Sequence, residues 1–102
     1  MYTEDEKYVA HEFELFQNNP NPFNPNTTIS YTLKNDCSVI LDIYNLNGQH
    51  VVTLLNENQA KGVKLVEWYG IDKFGQKVDS GIYFYKLHTE DFKQTKKMIL
   101  LK

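Results

Sequence analysis

The segment Ile82-Tyr83-Phe84-Tyr85-Lys86-Leu87-His88 is the clearest indication of how this chain of 102 residues folds. Tyr83, Tyr85 and Leu87 fall on one face of an extended backbone, and the residues between them fall on the other. A period of two residues is typical of a β-strand, and aromatic side chains suit its pleated surface. We therefore predict a strand here, with one face in a hydrophobic core.

The same alternation recurs when the reading moves outward from this segment. Residues 27–33 place Ile29, Tyr31 and Leu33 on one face, and residues 38–44 group three further aliphatic side chains in the same way. No helical stripe is sustained anywhere in the sequence. Four further strands are predicted at residues 13–16, 51–55, 63–69 and 92–101.

Turn signals separate these seven strands. Asn47-Gly48 predicts a two-residue hairpin turn of type I′, because both residues tolerate positive φ. A polar loop is predicted at residues 56–61, and two turns at residues 70–81. Short strands joined by such turns predict an all-β, antiparallel sandwich in a Greek-key order, with Trp68 in its core.

Length and composition limit the chain to one domain without a membrane span. Residues 1–12 are polar and acidic, so they are interpreted as a linker or an appended end before a folded part at residues 13–102. They lack the apolar stretch of a signal peptide, and no run of 18 apolar residues occurs elsewhere. Cys37 is the single cysteine, which excludes an internal disulfide, and we predict that it lies in or near the core.

The charged residues argue against nucleic acid as a partner. The net charge is −2, and all 11 basic residues are lysines. Arginine supplies the paired donors that read phosphate and guanine, and this chain has none.

Residues 20–25 read Pro-Asn-Pro-Phe-Asn-Pro and contain every proline of the chain. Each proline fixes its own φ and pushes the preceding residue towards extended geometry, so the segment is stiff before it packs. Phe23 is thereby presented at little entropic cost. We interpret the segment as a recognition element or a structural clasp, since it has no catalytic chemistry.

No catalytic, cofactor-binding or metal-binding residues are predicted. His11, His50 and His88 are far apart and lack partners at metal-ligand spacing, and the aspartates of residues 72–79 lack the ligand pattern of a calcium loop. A nucleophile elbow and a glycine-rich phosphate loop are both absent from the sequence. The prediction is that the chain is not an enzyme.

Four segments in fixed order carry a resemblance to a known family. They are residues 13–25 (FELFQNNPNPFNP), 44–49 (YNLNGQ), 81–87 (GIYFYKL) and 96–102 (KKMILLK). In this order the chain resembles the type A C-terminal sorting domain of the type IX secretion system, over residues 13–102. It is also similar to the immunoglobulin-like domain of the flagellar hook-capping protein. Tyr69, at a position where aspartate is frequent, and Cys37 depart from the common pattern.

The resemblance implies a seven-stranded antiparallel immunoglobulin-like β-sandwich that acts as a C-terminal sorting signal. A larger cargo protein, covalently attached upstream, would be exported through the periplasm to the outer-membrane surface or beyond. The outer-membrane translocon would recognise the sandwich, and a sortase-like peptidase would cut within residues 1–12. No cofactor is implied. The motif residues implied in partner recognition are Pro20, Asn21, Pro22, Phe23, Asn24, Pro25, Gly48, Gly81, Tyr83, Lys86, Lys96, Lys97 and Lys102.

Two other functions remain open at this point. One is a structural spacer or assembly module of the hook-capping type. The other is a carbohydrate-binding module, which requires coplanar, exposed rings among Tyr31, Tyr69, Tyr83 and Tyr85. Unpaired strand edges also predict a weak homodimer. Removal of residues 97–102 is expected to abolish export and to leave most of the sandwich.

Overall fold

The computed structural model of the protein describes residues 12–102. Within these residues the chain forms seven β-strands and no helix, which confirms the all-β prediction. The strands are β1 (Glu14–Leu15), β2 (Thr27–Leu33), β3 (Cys37–Asn45), β4 (His50–Gln59), β5 (Gly62–Trp68), β6 (Gly81–His88) and β7 (Lys93–Leu100).

The strands form two sheets, ordered β1-β2-β5 and β4-β3-β6-β7. Every neighbouring pair is antiparallel. The chain changes sheet after β2, after β4 and after β5, so that β2 pairs with β5 and β3 pairs with β6. This interleaving is the Greek-key pattern, and the two sheets form an immunoglobulin-like sandwich, as predicted.

The core lies between the inward faces of the two sheets. Tyr85 and Leu87 of β6 are fully buried, which confirms that one face of this strand enters the core and shows that it is the face of Tyr83, Tyr85 and Leu87. Trp68 ends β5 inside this core, and its indole Nε1 donates to the carbonyl of Ile71 at 2.9 Å. The Tyr83 hydroxyl donates to the carbonyl of Asp79 at 2.7 Å, the tyrosine corner of immunoglobulin-like folds. Cys37 is half-buried against the core, as predicted.

The prediction of a polar loop at residues 56–61 is wrong. Strand β4 continues through Asn56, Glu57 and Asn58 to Gln59, and these residues pair with β3. Their polarity misled the prediction because β4 is an edge strand whose last residues face water. Only Ala60 and Lys61 are left to connect β4 with β5.

The prediction of a type I′ turn at Asn47-Gly48 is also wrong. Gly48 has a φ of 82°, but Asn47 does not have positive φ. The loop instead has three residues between Asn45 and Gln49, with Gly48 N donating to the Asn45 carbonyl at 3.0 Å. A tight turn closed by one left-handed glycine is the usual three-residue hairpin, which the dipeptide signal does not distinguish from the two-residue form.

Candidate recognition surface

Residues 16–25, which we call the strap, run along the outer edge of β7. Phe23 N donates to the Ile99 carbonyl at 2.9 Å, and Leu101 N donates to the Phe23 carbonyl at 3.0 Å. The Asn21 side-chain oxygen accepts from Ile99 N at 2.9 Å, and the Gln17 side chain donates to the Lys97 carbonyl at 2.7 Å. The strap therefore forms hydrogen bonds with backbone N–H and C=O groups of β7 that would be unpaired on a free edge strand.

The proline segment inside the strap separates its aromatic ring from its polar residues. Phe23 is only 2% exposed, and its ring centroid lies 5.7 Å from that of Trp68. The other five residues of the segment are exposed, and all three Asn–Pro peptide bonds are cis. Phe23 thus acts as the clasp that the sequence analysis considered, because its ring packs on the core instead of facing a partner. The recognition role given to this segment stays a prediction.

A buried tyrosine anchors the start of the strap. The Tyr85 hydroxyl donates to the Phe16 carbonyl at 2.6 Å and accepts from Asn18 N at 2.8 Å. Burial raises the pKa of Tyr85 to about 12, although the bond from Asn18 opposes that rise. Asn18 is itself buried, and its side chain donates to Thr27 Oγ1 at 2.9 Å. One side chain of β6 therefore holds the first residues of the strap, in addition to the bonds that the strap makes with β7.

Family motifs that are distant in sequence meet at one end of the sandwich. Gly81 pairs with Leu100, and Tyr83 pairs with Asn45 at the base of the hairpin that contains Gly48. Lys102 N donates to Ser80 Oγ at 3.1 Å, which holds the chain terminus at the same place. We define this surface, formed by residues 45–49, 69–80 and 101–102, as the loop end.

The four lysines of the predicted recognition set are not all brought together, although Lys86 and Lys97 lie on the same outer face of the paired strands β6 and β7. Lys102 lies at the loop end, whereas Lys97 is exposed on the outer face of the four-stranded sheet. Lys86 is half-buried and pairs in register with Asp42 of β3. Lys96 is half-buried and lies on the same face of β7 as the buried residues Met98 and Leu100. The set therefore does not form one basic patch.

Residues 97–102 contribute side chains to the core as well as the end of the chain. Met98 and Leu100 of β7 are buried in the core. Removal of all six residues would take away core side chains and the pairing of the strap. The expectation that most of the sandwich survives this truncation stays a prediction, and the burial of Met98 and Leu100 argues against it.

A cluster on the outer face of the four-stranded sheet was missed by the sequence analysis. Asp42 Oδ1 lies 3.0 Å from His50 Nε2, and its Oδ2 lies 3.5 Å from His88 Nε2. Burial raises the pKa of Asp42, but hydrogen bonds from Thr53, His50 and His88 together outweigh burial and hold the pKa below its usual value. The three residues come from three strands, so only the register of the sheet, and no spacing in the sequence, brings them together.

The cluster does not form a metal site. Within residues 12–102 no group of three or more histidine, cysteine, aspartate or glutamate side chains is arranged to hold a metal ion. His50 and His88 instead serve as hydrogen-bond partners of a surface carboxylate. His11 lies outside the described residues.

The four tyrosines considered for stacking on sugars do not form a platform. Tyr31, Tyr83 and Tyr85 are buried, and Tyr69 alone of the four is well exposed, at 56%. A single exposed ring does not meet the requirement for coplanar exposed rings. The carbohydrate-binding alternative is therefore not favoured.

A family model described as the secretion system C-terminal sorting domain matches residues 19–101 of the chain. The chain belongs to this family. These are the sorting domains of the type IX secretion system, and the resemblance noted from four motifs is confirmed. Proteins that carry the type IX sorting domain are exported through the periplasm to the outer-membrane surface or the extracellular space.

Two solved structures from Porphyromonas gingivalis are similar to this sorting domain. Dimeric latent PorU shares 24% sequence identity over 87% of this chain, with a TM-score of 0.68. PorZ, a surface component of the type IX secretion system, shares 20% identity over 86%, with a TM-score of 0.57. The chain spans only 9% of the first protein and 11% of the second, so the likeness concerns the fold of one domain.

No curated protein matches the sorting domain. None of the described residues forms a helix long and apolar enough to cross a membrane.

Proposed function

We propose that this domain is a passive address on a larger cargo protein, read by the outer-membrane translocon of the type IX secretion system. The cargo is attached upstream of residue 12 and crosses the outer membrane because the folded sandwich is recognised. Membership of the sorting-domain family over residues 19–101 is the observation that carries this proposal. The meeting of the family motifs at one end of the sandwich supports it, because strand pairing places Asn45 next to Tyr83 and Gly81 next to Leu100 although these residues are distant in the sequence.

After export, a sortase-like peptidase cuts upstream of the sandwich, and the cargo is released or joined to the cell surface. The proposed cut falls within residues 1–12, of which only Glu12 is described by the structure. Strand β1 begins at Glu14, so a cut in this region leaves all seven strands and the strap intact.

The domain itself contributes no reaction. The sorting-domain family is non-catalytic. We extend this to the present chain, whose clearest titratable cluster is a carboxylate held by two histidines on an open sheet face. Catalytic activity, where the exported protein has any, belongs to the cargo.

A reporter experiment tests the proposal. Residues 1–102 are fused to the C-terminus of a periplasmic reporter in a bacterium with a type IX secretion system. We expect the reporter on the cell surface or in the medium, and we expect it to stay in the periplasm when the system is disabled. A folded fusion that remains periplasmic in the intact host would contradict the proposal.

A shorter truncation tests the role of the terminus and removes no core side chain, although it removes the bond from Leu101 N to the Phe23 carbonyl. Leu101 and Lys102 are exposed, and they follow β7 instead of belonging to it. We expect the fusion that ends at Leu100 to fold and to lose most of its export. Undiminished export of this fusion would remove the terminus from the recognition surface.

A further inference from the structure

Exposed apolar side chains are concentrated at the loop end. Of the eight large apolar side chains that are exposed among the described residues, five lie there: Leu46, Tyr69, Ile71, Phe74 and Leu101. The opposite end of the sandwich, formed by residues 34–36, 60–61 and 89–91, exposes none of the eight. Exposed apolar side chains that are grouped together often mark an interaction site, whereas single scattered ones do not.

Phe74 is held rigidly although it is 78% exposed. The Asp72 carboxylate accepts hydrogen bonds from the backbone N–H groups of Phe74 and Gln76, both at 2.9 Å. Lys73 N donates to the Val51 carbonyl at 2.9 Å, which ties the loop to β4. The backbone that carries the ring is therefore fixed before any partner binds, so association costs little conformational entropy.

Leu46 is presented in the same way on the neighbouring hairpin, at 63% exposure. The Asn45 side-chain oxygen accepts from the N–H groups of Asn47 and Gln49, both at 3.0 Å. The base of this hairpin and the loop of Phe74 line a common open cleft of about 500 Å³. Phe74 lines this cleft, and Leu46 lies on the neighbouring hairpin, next to the lining residue Asn45.

We propose that Leu46 and Phe74 are the apolar anchors by which the loop end docks on a protein of the secretion machinery. The inference rests on the proposed function, which makes a protein of that machinery the partner. Interfaces gain most of their affinity from a few central apolar or aromatic side chains, and rigid ones are the most effective. The docked surface of the partner is an apolar depression that receives both side chains.

The charge of the loop end indicates which charge should surround the apolar depression on the partner. Its residues include Lys73, Lys77 and Lys102 against two aspartates, and the carboxylate of Asp72 already accepts two backbone N–H groups. An excess of exposed ammonium groups is matched by carboxylates on the partner. We therefore assign an acidic border to the partner surface.

The test uses the full chain fused to the periplasmic reporter. The variant pair Leu46→Ser and Phe74→Ser removes both anchors, and we expect export to fall at least about tenfold. The matched control is Val63→Ser with Leu65→Ser, which removes two exposed apolar side chains, 49% and 70% exposed, from the outer face of β5. Export of the control is expected to equal that of the wild type. Thermal unfolding of the purified chains checks that both pairs fold.

A competition experiment measures binding to the machinery without requiring that the variant be exported. The wild-type domain, produced free in the periplasm, is expected to reduce export of the wild-type reporter, and the Leu46→Ser/Phe74→Ser domain is expected not to. Lys73→Glu is expected to weaken the competition, because it reverses a charge at the loop end.

The outcomes separate this inference from the proposed function. If the wild-type fusion is exported and the anchor variant is exported as well as the control, the inference that Leu46 and Phe74 are anchors is wrong. Equal loss in the anchor and control pairs also overturns it, since the effect would not be specific to the loop end. Failure of the wild-type fusion to leave the periplasm counts instead against the proposed function.

Discussion

At the scale of single residues, Tyr85 connects the core to the strap. Its ring occupies the inward face of β6, and its hydroxyl bonds to the backbone of Phe16 and Asn18. Tyr31 is its counterpart in the other sheet, where the hydroxyl donates to the Gln59 side chain. Both hydroxyls stay neutral in the fold because burial disfavours the phenolate.

These two tyrosines predict a loss of stability in alkaline solution. Burial raises the pKa of Tyr31 and of Tyr85 to about 12 in the folded protein, against about 10 in an unfolded chain. A raised pKa stabilises the fold fully below pH 10, and the contribution is lost as the pH rises from about 10 to about 12. Each residue contributes on the order of 2 kcal/mol to this loss. Urea unfolding at a series of pH values measures it.

The double variant Tyr31→Phe/Tyr85→Phe is the control for this prediction. It keeps both rings and removes both ionisable groups, so its free energy of unfolding should be lower at pH 8 but should change less between pH 9 and pH 12. An equal alkaline loss in the wild type and the variant would show that other groups cause it.

At the scale of the elements, the hairpin between β3 and β4 depends on the backbone of one glycine. Gly48 has a φ of 82°, and apart from Gly48 and its two chain neighbours no atom lies within 4 Å of the place where a Cβ would stand. A side chain at this position therefore meets no steric contact with the rest of the protein. Its cost comes only from the left-handed backbone, which L-residues disfavour.

We predict that Gly48→Ala lowers the free energy of unfolding by about 1–2 kcal/mol. Asn47→Ala in the same loop is the matched control, since Asn47 is exposed and lacks positive φ, and its effect should be within about 0.5 kcal/mol. Chemical denaturation of both variants makes the comparison. Equal effects of the two substitutions would mean that the left-handed position is not the source of the cost.

At the scale of the whole molecule, the two lateral sides of the sandwich differ. The strap covers the edge of β7 on one side, whereas β4 and β5 are edge strands with a single partner each. Unpaired edges favour association with other chains. The predicted weak homodimer stays a prediction, and the structure directs it towards β4 and β5.

A truncation at residue 26 tests what the strap does for the fold. The chain of residues 26–102 lacks β1, the strap and the Phe23 ring on Trp68, and removal of such a ring alone costs about 3–5 kcal/mol. A domain of this size is stabilised by about 5–15 kcal/mol in total. We expect residues 26–102 to lose cooperative unfolding or to self-associate through the uncovered β7 edge.

The chain of residues 12–102, which keeps the strap, is the control and should unfold cooperatively as a monomer at low concentration. Circular dichroism during urea unfolding and size-exclusion chromatography measure the two properties. A truncated chain with the same unfolding midpoint and the same elution volume would show that the strap is dispensable for the fold.

The strands could be predicted from the sequence, and so could the buried face of β2. In β2 apolar residues alternate with hydroxyl residues, and this local pattern determines which face enters the core. In β6 the period predicts the strand, but Ile82 and Phe84 make its second face apolar as well, so the packing of the two sheets decides which face is buried. The four family motifs are also local, so the order of residues along the chain is enough to recognise membership of the sorting-domain family.

Contacts between strands could not be predicted in this way. The Asp42 cluster joins residues from β3, β4 and β6, and the loop end joins Leu46 to Phe74 across 28 positions of the chain. The burial of Phe23 depends likewise on Trp68, which follows it by 45 residues. Alternation states which way a side chain faces within its own strand. Which side chains become neighbours depends on strand register and on the packing of the two sheets, and these are fixed only when the whole chain folds.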